Sequence, residues 1–557
     1  MRPRWVISSN VSEATRMIEN FTAHTKPLWI DNGLQKRFPQ LIGEVQTDVV
    51  IIGGGITGMS AALELKQAGK KVIVVELSRV SFGETGHTTG HLTESFDETY
   101  STLISNFGVD GAKLAAQSSR RAIQKIEDNV RKFGIRCDFE RVPGYRFTES
   151  NNRAELEKEA EAAASIGVHV ELVDSAPLPF KNSGALKFDH QAQFHAYKYV
   201  TALANLVHGD GSLIYEDTKV HDVEEGEPCR VVTDKGTIVC KDVIVAANVP
   251  ISNKFLLHTK IAAYRTYAIA ITLRDNSSVP GLFWDTQDPY HYIRSHRDDS
   301  RNYVIIGGSD HKTGQEGHTE DSFRKLISYA HERFNMDALA YRWSGQIIEP
   351  VDGLPYIGKN PMSEHVYVAT GYSGTGLTFG TVAGLLLSDL ITGESNPWAE
   401  LYDARRVKPI ASASNYISEN FDYASHLITD RLKPTDDNDL NHIRENEGRI
   451  VRMGAKKVAA YRDPQGQLHL MSPVCPHMGC YVGWNEAEKS WDCPCHGARF
   501  SPCGEVMNGP AVENLASEEY DENAPMRPER FDYPDAEPVS PLGGPILSMF
   551  TCPMKLH

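Results

Sequence analysis

Residues 48–58 read Asp-Val-Val-Ile-Ile-Gly-Gly-Gly-Ile-Thr-Gly. The run Val49–Ile52 is apolar without alternation, which fits a strand buried on both faces of a parallel sheet. Gly53, Gly55 and Gly58 fill the G-x-G-x-x-G positions. The first makes the tight turn, the second lets a pyrophosphate approach the backbone, and the third lets the next helix pack on the strand. That helix opens near Ile56 and Thr57 and aims its free amide groups and positive dipole end at the phosphates. A further strand, Val72–Val75, ends at Glu76, whose carboxylate suits a ribose diol and repels a 2′-phosphate. The unit specifies a dinucleotide cradle and disfavours NADP, but alone it does not separate FAD from NAD.

A later stretch does separate them. Residues 349–358 read Glu-Pro-Val-Asp-Gly-Leu-Pro-Tyr-Ile-Gly, and a strand follows at Val366–Ala369. Then Thr370-Gly-Tyr-Ser-Gly-Thr-Gly376 opens an apolar helix that runs to Leu390. One Gly-rich helix N-terminus serves the pyrophosphate. The other suits the N1/C2=O edge of a flavin, which gains negative charge on reduction. With both in place, residues 47–400 resemble the D-amino-acid-oxidase-like FAD oxidoreductases, the group of glycine oxidase, sarcosine oxidase and dimethylglycine dehydrogenase. The resemblance implies an α/β Rossmann-like FAD-binding domain within 47–430, assembled from about 47–95, 190–250 and 345–395, with an interleaved α+β substrate domain. It implies FAD contacts from Gly53, Gly55, Ile56, Thr57, Gly58, Glu76, Thr85, His87, Thr88, Val220, Gly353, Gly374, Thr375, Gly376, Leu377 and Thr378. In the stretch Gly83–His91, His87 resembles the histidine bonded covalently to flavin in dimethylglycine dehydrogenases; the alternative is a non-covalent contact.

The resemblance also implies a small-molecule amine or amino-acid-like substrate, oxidised by hydride transfer to FAD. The cofactor carries that chemistry, so no acid–base motif is expected. A substrate carboxylate would call for an arginine fork and a tyrosine hydroxyl. In Tyr290-His-Tyr-Ile-Arg294, period two puts Tyr290, Tyr292 and Arg294 on one face, which makes Tyr292 and Arg294 the substrate-binding candidates. Tyr264, Arg265 and Tyr267 form a second set.

The nine cysteines are unevenly placed, five of them between Cys475 and Cys503. Residues 475–480 read Cys-Pro-His-Met-Gly-Cys and residues 493–497 read Cys-Pro-Cys-His-Gly. These C-x-H and C-x-x-H boxes supply Cys475, His477, Cys493 and His496, the ligand set of a Rieske [2Fe–2S] cluster. Structural zinc is the competing reading, and the Pro and Gly neighbours disfavour it. Residues 436–518 thus resemble a small all-β Rieske domain. The match with the Rieske proteins of cytochrome bc complexes implies a loop-to-loop disulfide between Cys480 and Cys495. Rieske folds also imply a histidine-ligated iron near the domain surface, where a carrier could dock.

The net charge of −16 argues against nucleic acid as a partner. No apolar run is read as the roughly 20 residues needed for a membrane span. Arg2, Arg4 and Arg16 are interrupted by Glu13 and Glu19, which gives a cytoplasmic reading with organellar import as the alternative. Residues 1–46 read as an arm anchored by Trp29 and Phe38. Leu432–Asn441 reads as a linker, and 519–557 as a tail. A flavin takes electrons in pairs and a Rieske centre passes them singly. The fusion therefore suggests a dehydrogenase that feeds an external one-electron acceptor, a protein or a quinone. The alternatives are an oxidase making peroxide with a structural or regulatory cluster, and a non-catalytic redox sensor or electron-transfer protein. A Rieske oxygenase would need two histidines and a carboxylate beyond the cluster domain, which the tail does not supply. Respiratory Rieske proteins place a serine and a tyrosine where this chain has Ala498 and Phe500, so two hydroxyl donors to the cluster sulfurs are lost. Redox potentiometry should therefore give a potential in the lower part of the range of about −150 to +300 mV; a value near its top would count against this reading.

Overall fold

The computed structural model describes residues 25–30, 37–150, 153–251, 257–298, 300–407, 439–454 and 456–518. The N-terminal arginines, most of the linker and the 519–557 tail lie outside the described residues. Trp29 and Phe38 are buried. The end of the expected arm forms a strand, Gly43–Gln46, that pairs in parallel with Gly236–Cys240.

The first sheet has six strands. Val49–Ile52 lies between Val72–Val75 and Asp242–Val245, all parallel, in register Val50↔Ile73 and Val50↔Val243. Leu213–Tyr215 extends one side in parallel; Val366–Thr370 (parallel) and the edge strand Tyr356–Lys359 (antiparallel) extend the other. The central strands are fully buried because helices cover them, as their uninterrupted Val/Ile composition requires.

The helix Ile56–Gln67 leaves the first strand through Gly53, whose φ of +111° only glycine adopts without strain, and where a Cβ would lie 2.4 Å from the Ala246 carbonyl oxygen. It packs on the helix Gly376–Thr392. The crossing is tight because Gly380 and Gly384 form one face. A Cβ at Gly380 would lie 2.8 Å from the Ile56 and Thr57 side chains, and one at Gly384 would lie 2.5 Å from Ser60 Cβ. The segment Ser373–Thr392 has a mean hydropathy of 1.4 and is long and apolar enough to span a membrane, contrary to the sequence reading. It is mostly buried inside this fold instead, with its apolar side chains in the main core.

The second sheet has nine strands and supplies the substrate side. Ile261–Leu273 pairs antiparallel with Met336–Pro350 and Asn302–Lys312; Tyr292–Arg297, Leu282–Asp285, Glu140–Phe147 and Ala185–Gln193 follow. The C-terminal unit is all β, a three-stranded sheet (447–471) beside a four-stranded one (483–508). It is seated on the nine-stranded sheet. Ala487 belongs to that sheet's core cluster, and its amide donates to Thr319 Oγ1 at 3.0 Å.

Forcing a branched side chain between the crossed helices should cost about 1–3 kcal/mol or more. Gly384→Val should lower the thermal midpoint measured by circular dichroism, whereas Gly317→Ala, with open space at its Cβ, should leave it nearly unchanged.

Candidate functional site

A cavity of about 460 Å³ runs between the two sheets. On the six-stranded side Glu76 accepts from the amides of Gly54 (2.7 Å) and Ser78 (3.0 Å). Burial raises its pKa above the usual carboxylate value, against the pull of those amides. The first-turn amides of the helix at Ile56 have no side-chain cap from Gly55, though Ile56 N donates to Thr85 Oγ1 at 3.0 Å. The second Gly-rich segment enters its helix through a short turn at Ser373–Thr375, again without a side-chain cap. Thr57 Oγ1 and Tyr372 OH, 3.2 Å apart, tie the two helix entrances together.

Gly53, Gly55, Ile56, Thr57, Glu76, Thr85, His87, Thr88, Val220, Gly374, Thr375, Gly376, Leu377 and Tyr292 all line this cavity. Gly58, Gly353, Thr378 and Arg294 do not. A Cβ at Gly58 would lie 2.0 Å from the Gly53 carbonyl oxygen, so its role is helix–strand packing. Gly353 approaches Glu98, and Thr378 bonds Thr93 within the core. Arg294 is buried, donates from Nη1 to the carbonyls of Gly90 (2.7 Å) and Phe194 (3.3 Å), and lies over the Trp29 ring. Its guanidinium anchors the N-terminal segment and is not placed to meet a substrate. Arg265 is likewise buried; it bonds Ser344 and faces Glu488 of the C-terminal domain at 3.7 Å, which makes it a domain anchor.

Residues that the sequence reading missed occupy the substrate side. Asp97 accepts from the Gly374 amide and from Tyr290 OH (3.0 Å). Tyr292 OH lies 2.9 Å from Thr266 Oγ1. Asp310 has its Oδ1 buried without a hydrogen-bond partner, and burial pushes its pKa up to about 7. Trp284, His91 and Arg146 complete this side. Burial, with Arg294 adding to it, pulls the His91 pKa down to about 3, so its ring is neutral. The available signal for Asp310 was its place directly after the mostly apolar run Tyr303-Val-Ile-Ile-Gly-Gly-Ser309.

These features fit FAD: two Gly-rich helix entrances opening into one cavity, an acid at a strand end, and glycines at the close approaches. His87 lines the cavity with Nδ1 3.0 Å from the Gly83 carbonyl oxygen.

The second centre lies on two loops. Cys475 and Cys493 are buried and lie close enough for their thiols to interact, and the His477 and His496 rings are 5.0 Å apart. Two thiols and two imidazoles thus converge as a Rieske cluster requires. Cys480 and Cys495 form the disulfide that the resemblance implied. Ala498 and Phe500 are fully buried with no hydroxyl to offer. The histidine edge faces inward, unlike the expected open docking face. His258 of the oxidoreductase half packs its ring 4.8 Å from His477 and 5.4 Å from His496.

Comparison with known proteins agrees with both halves. Residues 48–390 match the family model "FAD dependent oxidoreductase", and residues 435–519 match "Rieske [2Fe-2S] domain". The chain is 34% identical to the Rieske 2Fe-2S iron-sulfur protein YhfW of Bacillus subtilis, over 86% of this chain and 94% of that one. It is 26% identical to gamma-glutamylputrescine oxidoreductase of Escherichia coli, over 66% of this chain and 88% of that one. Glycine oxidase from Geobacillus kaustophilus shares the fold of the larger half, with a TM-score of 0.56 at 19% identity, over 65% of this chain and 99% of that one. With a cradle for FAD, a four-ligand cluster site and matches spanning both, the chain belongs to the FAD dependent oxidoreductases and carries a C-terminal Rieske [2Fe–2S] domain.

Proposed function

We propose that this enzyme is a dehydrogenase for a cationic amine, with electrons leaving singly through the Rieske cluster to an external one-electron acceptor. The observation that carries the substrate reading is the buried, unpartnered Oδ1 of Asp310 in the cavity wall. A buried carboxylate oxygen without a donor is costly, and a substrate ammonium group would supply the missing donor. Asp97 adds a second carboxylate. Tyr290, Tyr292 and Trp284 add aromatic faces, the surroundings that favour an organic cation. The E. coli relative, named for gamma-glutamylputrescine, supports an amine substrate.

When bound, the flavin supplies the hydride acceptor and the cluster a one-electron carrier. The residues must deliver the amine neutral and correctly placed, because an ammonium carbon is a poor hydride donor. Asp310 is suited to take the ammonium proton, since its pKa of about 7 puts it in the working range of a base. Tyr290 and Tyr292 keep their phenolic protons because burial raises both pKa values, so they orient the substrate as neutral hydroxyls. Neutral His91 adds no repelling charge.

Arg146 lines the same cavity and favours a second reading, an amino acid held by its carboxylate. Anaerobic mixing with diamines, N-methyl amino acids and D- and L-amino acids separates the two. Flavin bleaching followed by the reduced-cluster EPR signal is expected with cationic amines. Arg146→Met should raise KM only for carboxylate-bearing substrates. In air, a one-electron dye should be reduced faster than peroxide accumulates; stoichiometric peroxide with an oxidised cluster would make the protein a plain oxidase.

Below about pH 7 Asp310 is protonated. It then neither attracts the cation nor accepts its proton, so kcat/KM should fall as pH drops through that value. Asp310→Asn should lower kcat/KM by about 10²-fold and abolish that acidic limb in a steady-state pH profile. An unchanged profile would remove Asp310 from the chemistry.

A further inference from the structure

We infer that the Rieske domain is a wall of the flavin site, fixed there by Asn508 and Gln346, rather than a separate module tethered beside it. The cavity that takes FAD is closed in part by the C-terminal domain itself, through the backbone segment from Val506 to Val512. Two hydrogen bonds hold this wall. Asn508 Nδ2 donates to Glu84 Oε1 at 3.2 Å, and Gln346 Nε2 donates to the Gly497 carbonyl at 2.7 Å.

Both bonds start or end on cavity residues. Glu84 opens the short helix Glu84–His87 beside Thr85, and its other oxygen accepts from the backbone N–H of Gln346 at 2.5 Å. Gln346 is buried, and its amide orientation is fixed because Asn248 Nδ2 donates to its Oε1 at 3.1 Å. Its acceptor, Gly497, directly follows the cluster ligand His496. A single side chain thus joins the flavin cavity to the peptide beside the cluster. The approach is close enough to demand glycine, since a Cβ at Gly497 would lie 2.4 Å from Ala263 Cβ and 2.5 Å from Gln346 Nε2.

Flavin binding and the local ordering of the 506–512 wall are therefore coupled. A ligand that fills a cavity closed by two bodies stabilises their contact by its differential affinity for the closed state. The inference concerns FAD alone and stands whatever the substrate proves to be.

The test uses the full-length protein with its cluster, as holoenzyme and after reversible removal of FAD. Hydrogen exchange read by mass spectrometry should show peptides covering 506–512 protected when FAD is added back, while peptides covering 456–462, on the far sheet of the same domain, stay unchanged. FAD titration into deflavo-protein should give a Kd raised about tenfold by Asn508→Leu, the size of one lost hydrogen bond. Asn508→Asp should raise it further, because it opposes a second carboxylate to Glu84. The cluster EPR spectrum should confirm an intact domain in each variant. Gln346→Leu should likewise raise the FAD Kd, because it cuts the second bond that holds the same wall. Unchanged exchange at 506–512 on FAD addition, or a wild-type Kd in both Asn508 variants, would overturn the inference.

Discussion

The tight crossing of Ile56–Gln67 and Gly376–Thr392 is the constraint from which the cofactor site follows. Helix N-termini attract negative charge only over the first turn, where amides are free. A dinucleotide flavin offers two such charges, the pyrophosphate and the pyrimidine edge of the reduced ring. To meet both, two helix ends must open into one cavity, which requires their axes to approach more closely than large side chains allow. Gly380 and Gly384 permit that approach. The bond between Thr57 and Tyr372 holds the two entrances in register.

The nine-stranded sheet then serves two sites at once through the alternation of a strand. Along Ile261–Leu273, Thr266 faces the cavity and bonds Tyr292, while its neighbour Arg265 points away to Glu488 of the Rieske domain. Successive side chains on a strand leave opposite faces. One segment therefore positions a substrate-side tyrosine and seats the cluster domain. The bond from Gln346 to Gly497 repeats this economy on the adjacent strand Met336–Pro350.

This explains which parts were legible in the sequence. The cradle from Val49 to Glu76 and the boxes at Cys475 and Cys493 are local: spacing along the chain equals spacing in the site, so residue type and order suffice. Substrate residues come together only through tertiary pairing. Arg294 and Tyr292 share a strand, yet only Tyr292 lines the cavity, because the Arg294 side chain is drawn to the carbonyls of Gly90 and Phe194 from distant segments. Asp97 and Asp310 lie far apart in the chain, so no spacing along it pairs them in one site. The inward turn of the cluster histidines was invisible for the same reason, since His258 meets them only across the domain interface.

The charges at that interface argue that the seating is permanent. Arg265, Arg499 and Asp492 are all buried, with Glu488 nearly so. Arg499 donates from Nε to Asp492 at 3.0 Å and lies 3.9 Å from Glu488, which it shares with Arg265. Burial alone would raise the Asp492 pKa, but Arg499 and Arg265 outweigh it and hold the carboxyl below its usual range. Swinging the Rieske domain away would strip Arg265 of Glu488 and Asp492, members of the other domain. Breaking a buried ion network in this way costs several kcal/mol when one partner is left uncompensated. A domain that moved on every turnover would meet that cost each time. Distributed charge between the two halves thus favours a fixed seating of the Rieske domain, with the cluster histidines held against His258 of the oxidoreductase half.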